Sequence, residues 1–419
     1  MATVTQLRQV AAFASELYRA KAVTAYHGYF RNDPMSLLML GPARDNPYPI
    51  YERLRAEGPI VATRLGNWVT TSHAVCNRVL RDRHFGVRPE GAVPGDQAFD
   101  LSFLELNPPD HTRLRRLATP AFSPKQMAGY AARIEKTVHQ LIDDLPRAGR
   151  VDLVQTFAAP LPITVITDLL GVPNTHVDDF ARWGATIGSA LDGVKSLRHA
   201  RALMEANSGL EAMFGELFEL RRHEPADDVI SAIVAAEGER IEAREMVPLC
   251  VLLLIAGFET TVNLISNGVL ALLDHPEQWA ALCDDPGLAA NATEEILRFD
   301  PPVQRTGRLA LRDVDLDGVA VRRGQFVATL IGGANRDPEV YADPARFDIA
   351  RTLPVEHLAF SSGIHYCLGQ GLARLEATIA FAALAQRLPE LRRAGRVVRR
   401  NAATIRGPLH LPVTPGRPR

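Results

Sequence analysis

Cysteine is scarce and unpaired in this chain. Cys76, Cys250, Cys283 and Cys367 lie far apart, with no C-x-x-C pair and no metal-finger spacing. Their scatter excludes a disulfide framework and fits a reducing cytoplasm. No continuous apolar segment follows Met1 to Arg8, so no signal peptide is expected. The most apolar run, 247–258, contains Pro248 and is about a dozen residues long, where about twenty are needed to span a bilayer. It reads instead as a core helix, apolar on all sides. Charge of neither sign dominates: 47 Lys and Arg against 48 Asp and Glu leave a formal net charge of −1, which argues against nucleic acid as a partner. Internal repeats, a Gly-rich dinucleotide fingerprint and an iron–sulfur cysteine set are all missing.

What the chain has is enough apolar residues for a large core, 47% of 419. Their spacing predicts a mainly α protein with smaller β-sheets near both ends. Leu7, Val10, Ala11, Ala14, Leu17 and Tyr18 fall at helical spacing, giving a first amphipathic helix that either packs on its own domain or docks on a membrane or partner. A helix over 49–57 follows, with proline in its first turn and Gly58 at its end. A hairpin over 60–65 and 68–72 turns at Gly66-Asn67. Residues 84–100, broken by glycine and proline, read as a binding lid. Helices are expected at 109–119, 124–145, 157–170, 176–191 and 197–222, and the helical pattern runs on to 297. Strands return at 309–311, 314–321 and 326–330.

The stretch 360–369, Phe-Ser-Ser-Gly-Ile-His-Tyr-Cys-Leu-Gly, precedes a helix announced by Leu372, Leu375 and Ile379. A loop presenting one sulfur at a helix N-terminus favours a thiolate, the form that ligates metal. Its spacing, F-x-x-G-x-H-x-C-x-G, resembles the cysteine loop of the cytochrome P450 superfamily, the haem-thiolate monooxygenases. Ser361 stands where many members have glycine.

That resemblance, from about Tyr48 to Pro415, implies a single haem b domain over 46–419, with a long central helix over the haem, and an N-terminal extension over 1–45. Cys367 would ligate the iron, Phe360 would pack beside the sulfur, and Gly363 and Gly369 would shape the loop. His111, Arg115, Arg308 and His365 would surround the haem propionates. Ala256-Gly257-Phe258-Glu259-Thr260-Thr261 resembles the family's oxygen-binding helix: Thr260 would hold dioxygen and its water, and Glu259 would gate proton delivery. Glu295 and Arg298, an E-x-x-R pair on one helix face, would join Arg346 in a buried network that fixes the cysteine loop. Leu252, Ile255, Ala256 and Val303 would line an apolar substrate pocket.

The implied reaction inserts one oxygen atom of O2 into a hydrophobic small molecule. Electrons would come from a ferredoxin and its NAD(P)H-dependent reductase, docking on a surface marked by Arg113, Arg116 and Arg374. A peroxide-driven peroxygenase and a haem-binding sensor or carrier are the competing readings. Neither needs the acid–alcohol pair Glu259 and Thr260.

Overall fold

A computed structural model describes residues 4–41, 45–91, 100–146 and 148–416. The other elements are arranged around one central helix, Ala243–Asp274, whose 32 residues span about 48 Å at 1.5 Å each. Glu242 and Glu245 close its N-terminus with a reciprocal capping box, satisfying two of the backbone donors that a helix start leaves open. By length and composition this helix could cross a membrane, but 83% of its most apolar window is buried inside the body. Its all-round apolarity therefore serves a core, as the run 247–258 predicted.

The helix Gln370–Arg387 crosses the central helix closely because Gly268 has no side chain. A Cβ there would lie 2.3 Å from Phe381 Cζ. Helices Pro124–Asp143, Pro160–Leu170, Val177–Gly188 and Leu197–His223 complete the helical body. One continuous core, running from Phe103 to Val413, joins them to the central helix.

A five-stranded sheet flanks this body, in the order Val61–Ala62, Trp68–Thr70, Phe326–Thr329, Thr306–Ala310, Phe85–Gly86. The hairpin at Gly66-Asn67 forms as expected, with Val61 opposite Val69 and Gly66 at φ +81°. Pairing of Arg308 with Val327 fixes Arg308 in a sheet rather than on a mobile loop. Of the expected lid, only its start takes part in the sheet, and 92–99 lie outside the described residues.

The first helix, Val4–Ala25, departs from the packed alternative. Phe13, Tyr18 and Val23 are exposed, and among the helix residues from Ala11 on whose burial is described none is fully buried. By contrast Asp33 and Leu38, still inside the expected extension, are buried, and Leu38 shares a core with Tyr51, Leu54 and Leu330.

Candidate active site

Cys367 lies three residues before the helix Gln370–Arg387. Its backbone N–H donates to the Phe360 carbonyl at 2.9 Å, and the Tyr366 N–H to the Gly363 carbonyl at 3.0 Å, which folds the loop back on itself. Burial pushes the Cys367 thiol up, against the Gly369 N–H and the charges of Arg115 and Arg374. Arg115 also donates to the Tyr366 carbonyl at 2.6 Å, tying the helix Asp110–Ala118 to the residue before the sulfur. Phe360 is buried, with the Arg374 guanidinium 4.5 Å from its ring centre.

Gly363 is required where it stands. Its φ is +70°, and a Cβ would lie 2.5 Å from the Leu80 carbonyl oxygen at the end of the helix His73–Arg81. Gly369 is not: its φ is −87°, and an added Cβ would make only an ordinary 3.5 Å contact with Phe122. Ser361 carries the strain instead. At φ +63° and ψ −160° it occupies a region populated almost only by glycine, and its buried hydroxyl oxygen has no partner. Ser361→Gly is therefore expected to stabilise the protein by about 1–3 kcal/mol, read as a higher urea midpoint at an unchanged slope. An unchanged midpoint would show that the loop relieves this strain elsewhere.

Four basic side chains converge beside the loop. His111 and His365 have ring centres 4.3 Å apart. Both His111 nitrogens and His365 Nε2 are buried without a partner. Arg308 is buried, and among the described residues its one side-chain hydrogen bond goes to the Gly307 carbonyl. Among the described residues no carboxylate pairs with His111, Arg115, Arg308 or His365. Burial first, then the neighbouring cations, hold His111 down at about 4 and His365 at about 2, and burial alone lowers Arg308 to about 10. Buried donors left in this condition call for an anion with several oxygens. The two carboxylates of a haem meet that demand, so the residues present fit the group. Phe103, edge-on to His111 at 6.0 Å, belongs to this cluster and carried no sequence signal.

On the central helix Ala256 is exposed and Gly257 and Thr260 are half-buried, whereas Leu252 and Ile255 are packed into the core. Ile255 turns toward Gly188 of the helix Val177–Gly188 instead of sharing the surface of Ala256. Val303 keeps partial exposure and bridges to Ile405. The Thr260 hydroxyl donates to the Ala256 carbonyl at 2.6 Å, and the Glu259 carboxylate is buried.

The E-x-x-R pair is buried as expected, with Arg298 Nε and Nη2 on the two Glu295 oxygens at 2.7 and 2.8 Å. Its third member is not the expected one. Arg346 turns its side chain outward toward Asp348, 63% exposed, and offers only its carbonyl to Arg298. Arg351 reaches Glu295 instead, at 3.3 Å, because the irregular segment after Asp343 turns that residue inward.

The basic docking surface also needs correction. Arg113 is held by Glu245 and Asp110, and Arg374 by Glu294 and Glu356, so neither presents a free charge. Arg116 is exposed and has no ion pair among the described residues.

A mainly helical body that offers one loop sulfur beside a cluster of unpaired buried bases is a thiolate-ligated haem protein in its outline. The family model "Cytochrome P450" matches residues 288–389. A "Biotin biosynthesis cytochrome P450" of Bacillus subtilis is 40% identical over 359 residues, 83% of this chain and 90% of that protein. A "Vitamin D(3) 25-hydroxylase" of Pseudonocardia autotrophica is 37% identical over 90% of this chain and 96% of its own length. Among solved structures, P450BioI with a hexadec-9Z-enoic acid ligated acyl carrier protein superposes with a TM-score of 0.83 at 38% identity, covering 89% of this chain and 98% of that one. The chain belongs to the cytochrome P450 family: it is a monooxygenase, and its cofactor is haem b.

Proposed function

We propose that this monooxygenase hydroxylates an apolar small molecule in the cytoplasm, within one catalytic body over 46–419, using electrons from a ferredoxin and its NAD(P)H-dependent reductase. The observation that carries the reading is the contrast on the central helix: Ala256 and Thr260 keep accessible surface in the same turn that buries the Glu259 acid. Haem, when bound, supplies oxygen activation through its thiolate-ligated iron. In this reading Cys367 ligates that iron, His111, Arg115, Arg308 and His365 hold the propionates, and Ala256 and Val303 border the substrate. Glu259 and Thr260 then supply protons. Two relatives with hydroxylase in their names, the vitamin D(3) 25-hydroxylase and a "6-deoxyerythronolide B hydroxylase" of Saccharopolyspora erythraea, support hydroxylation as the outcome.

For the electron donor we propose the cleft of about 780 Å³ between the helix His73–Arg81 and the outer side of the cysteine loop, with exposed Arg81 at its rim. Arg116 adds charge for an acidic partner, an attraction that weakens as salt screens it. The test is product formation with ferredoxin and reductase, with peroxide alone, and with neither, on a substrate found by its shift of the haem absorption band. Product with the redox proteins but not with peroxide is expected. The reverse would make the chain a peroxygenase, and no product in any arm a sensor or carrier.

Thr260 provides a sharper check. Its bond to Ala256 is what an ordinary core threonine also makes. Thr260→Ala keeps a strong helix former, so haem content should not change. Product per NADH is expected to fall about 10-fold or more, with peroxide accounting for the difference. Parental coupling would leave Thr260 a core residue only.

A further inference from the structure

Arginines withdrawn from water in this protein mostly face an acid. Arg298 holds Glu295 and Arg406 holds Asp300, while Arg400, just past the first strand of the C-terminal hairpin Val398–Arg399 and Pro408–His410, holds Glu259 at 2.8 Å. Arg305 breaks the pattern. Among the described residues it has no ion-pair partner: Nε donates to Thr404 Oγ1 at 3.2 Å, Nη1 lies 2.7 Å from the weak acceptor Met39 Sδ, and Nη2 makes no hydrogen bond. Burial is the main influence on this guanidinium and lowers it, with Asp192 and then Tyr51 acting against the fall.

Arg305 stands on the same edge as Val303. Alternate residues of an extended chain share a side, and here Gln304 is buried against Tyr51 and Asp300 while Val303 and Arg305 keep accessible surface. The C-terminal hairpin runs beside them, since Val303 bridges to Ile405 and the Gln304 N–H donates to the Thr404 carbonyl at 2.8 Å. Over this edge lies the turn after the helix Val177–Gly188. Its Asp192 accepts from the N–H groups of Ala403 and Thr404 at 2.7 and 2.6 Å, and Gly188 faces Ile255 and Glu259 of the central helix.

We propose that Arg305 is a specificity-determining residue, and that the substrate of this monooxygenase is an apolar chain bearing one carboxylate, which pairs with Arg305. This rests on the reading that Val303 and Ala256 border the substrate. A guanidinium taken from water without an acid is costly, and a substrate carboxylate supplies the missing charge through a charge-assisted bond to Nη2. The nearby Asp192 selects against a second negative charge, so a carboxylate suits the place better than a phosphate dianion. Ala256 and Val303 carry no charge, which leaves the rest of the molecule apolar.

The experiment titrates the haem-loaded protein with dodecanoic and hexadecanoic acids and with the matching alcohols, read as the shift of the haem absorption band. Each acid that binds is expected to bind about tenfold or more tighter than its alcohol. Arg305→Gln should erase that advantage by weakening the acid alone, with KM for the acid rising and kcat little changed. Arg305→Lys keeps the charge without the planar fork, so its acid advantage should fall between the two. Equal parental affinities for acid and alcohol overturn the proposal, and so does a loss in Arg305→Gln shared by both, the result a packing role would give. Should Arg305→Gln fail to hold haem, an acid advantage unchanged in Arg305→Lys overturns it as well. Acid-selective binding without hydroxylated product would remove the hydroxylation reading and leave the recognition. Product from uncharged apolar molecules, with neither acid bound, would do the reverse.

Discussion

Cys367→Ser is expected to abolish the thiolate-type absorption band of the reduced carbon monoxide complex, and turnover with it. The substitution is nearly isosteric, so the loop should survive: the backbone bonds from Cys367 to Phe360 and from Tyr366 to Gly363 do not involve the sulfur. What is lost is a soft anionic ligand, since a serine hydroxyl does not ionise readily where burial already pushes a thiol up. Cys76 and Cys250 are fully buried, and burial raises both thiols, outweighing the hydrogen bonds that lower Cys76 and reinforced at Cys250 by the charge of Asp228. With Cys283 they should tolerate alanine with the band retained. Survival of the band in Cys367→Ser would remove the assignment.

Arg298→Ala should be the most destabilising change outside the cysteine loop, on the order of 3–5 kcal/mol, because it takes the two-pronged partner from a buried carboxylate and leaves it only the longer contact with Arg351 and one backbone N–H. Arg298 is fully buried, grips both oxygens of Glu295, and donates to the carbonyls of Asn335, Pro344 and Arg346. One side chain thereby ties the helix Ala289–Phe299 to the irregular chain leading into the cysteine loop. Arg346→Ala provides the contrast. Its side chain is mostly exposed, so the cost should stay within about 0.5 kcal/mol. Urea midpoints of the two variants settle the comparison, and equal midpoints would return Arg346 to the network.

Local spacing made much of this readable. The E-x-x-R pair, the acid beside the alcohol and the cysteine loop are defined over a few residues, and helix or turn geometry then dictates their relation. Helix limits were legible through a proline in the first turn and a glycine at the end, as in the helix that stops at Gly58. Illegible features depend on how distant segments meet. Arg351 and Arg346 are two arginines in one irregular stretch, and only the path of the backbone decides which turns inward. Arg400 has no motif and meets Glu259 through the hairpin alone. Apolar spacing in 7–18 marked an amphipathic helix, but spacing cannot say what covers its face, and in the fold Tyr18 stays exposed.

The cluster of His111, Arg308 and His365 also bears on how the protein is made. His111 leaves the ribosome about 250 residues before Cys367, a wait of roughly 10 to 50 s at bacterial elongation rates. Through that interval the buried bases have neither the loop nor the cofactor to meet, and Gly268 waits for Phe381 before the central helix can seat. Helical contacts near in sequence can form early, but the haem cradle is closed only by the cysteine loop and the helix Gln370–Arg387. Cofactor capture must therefore await the cysteine loop, made about 250 residues after the first of these bases.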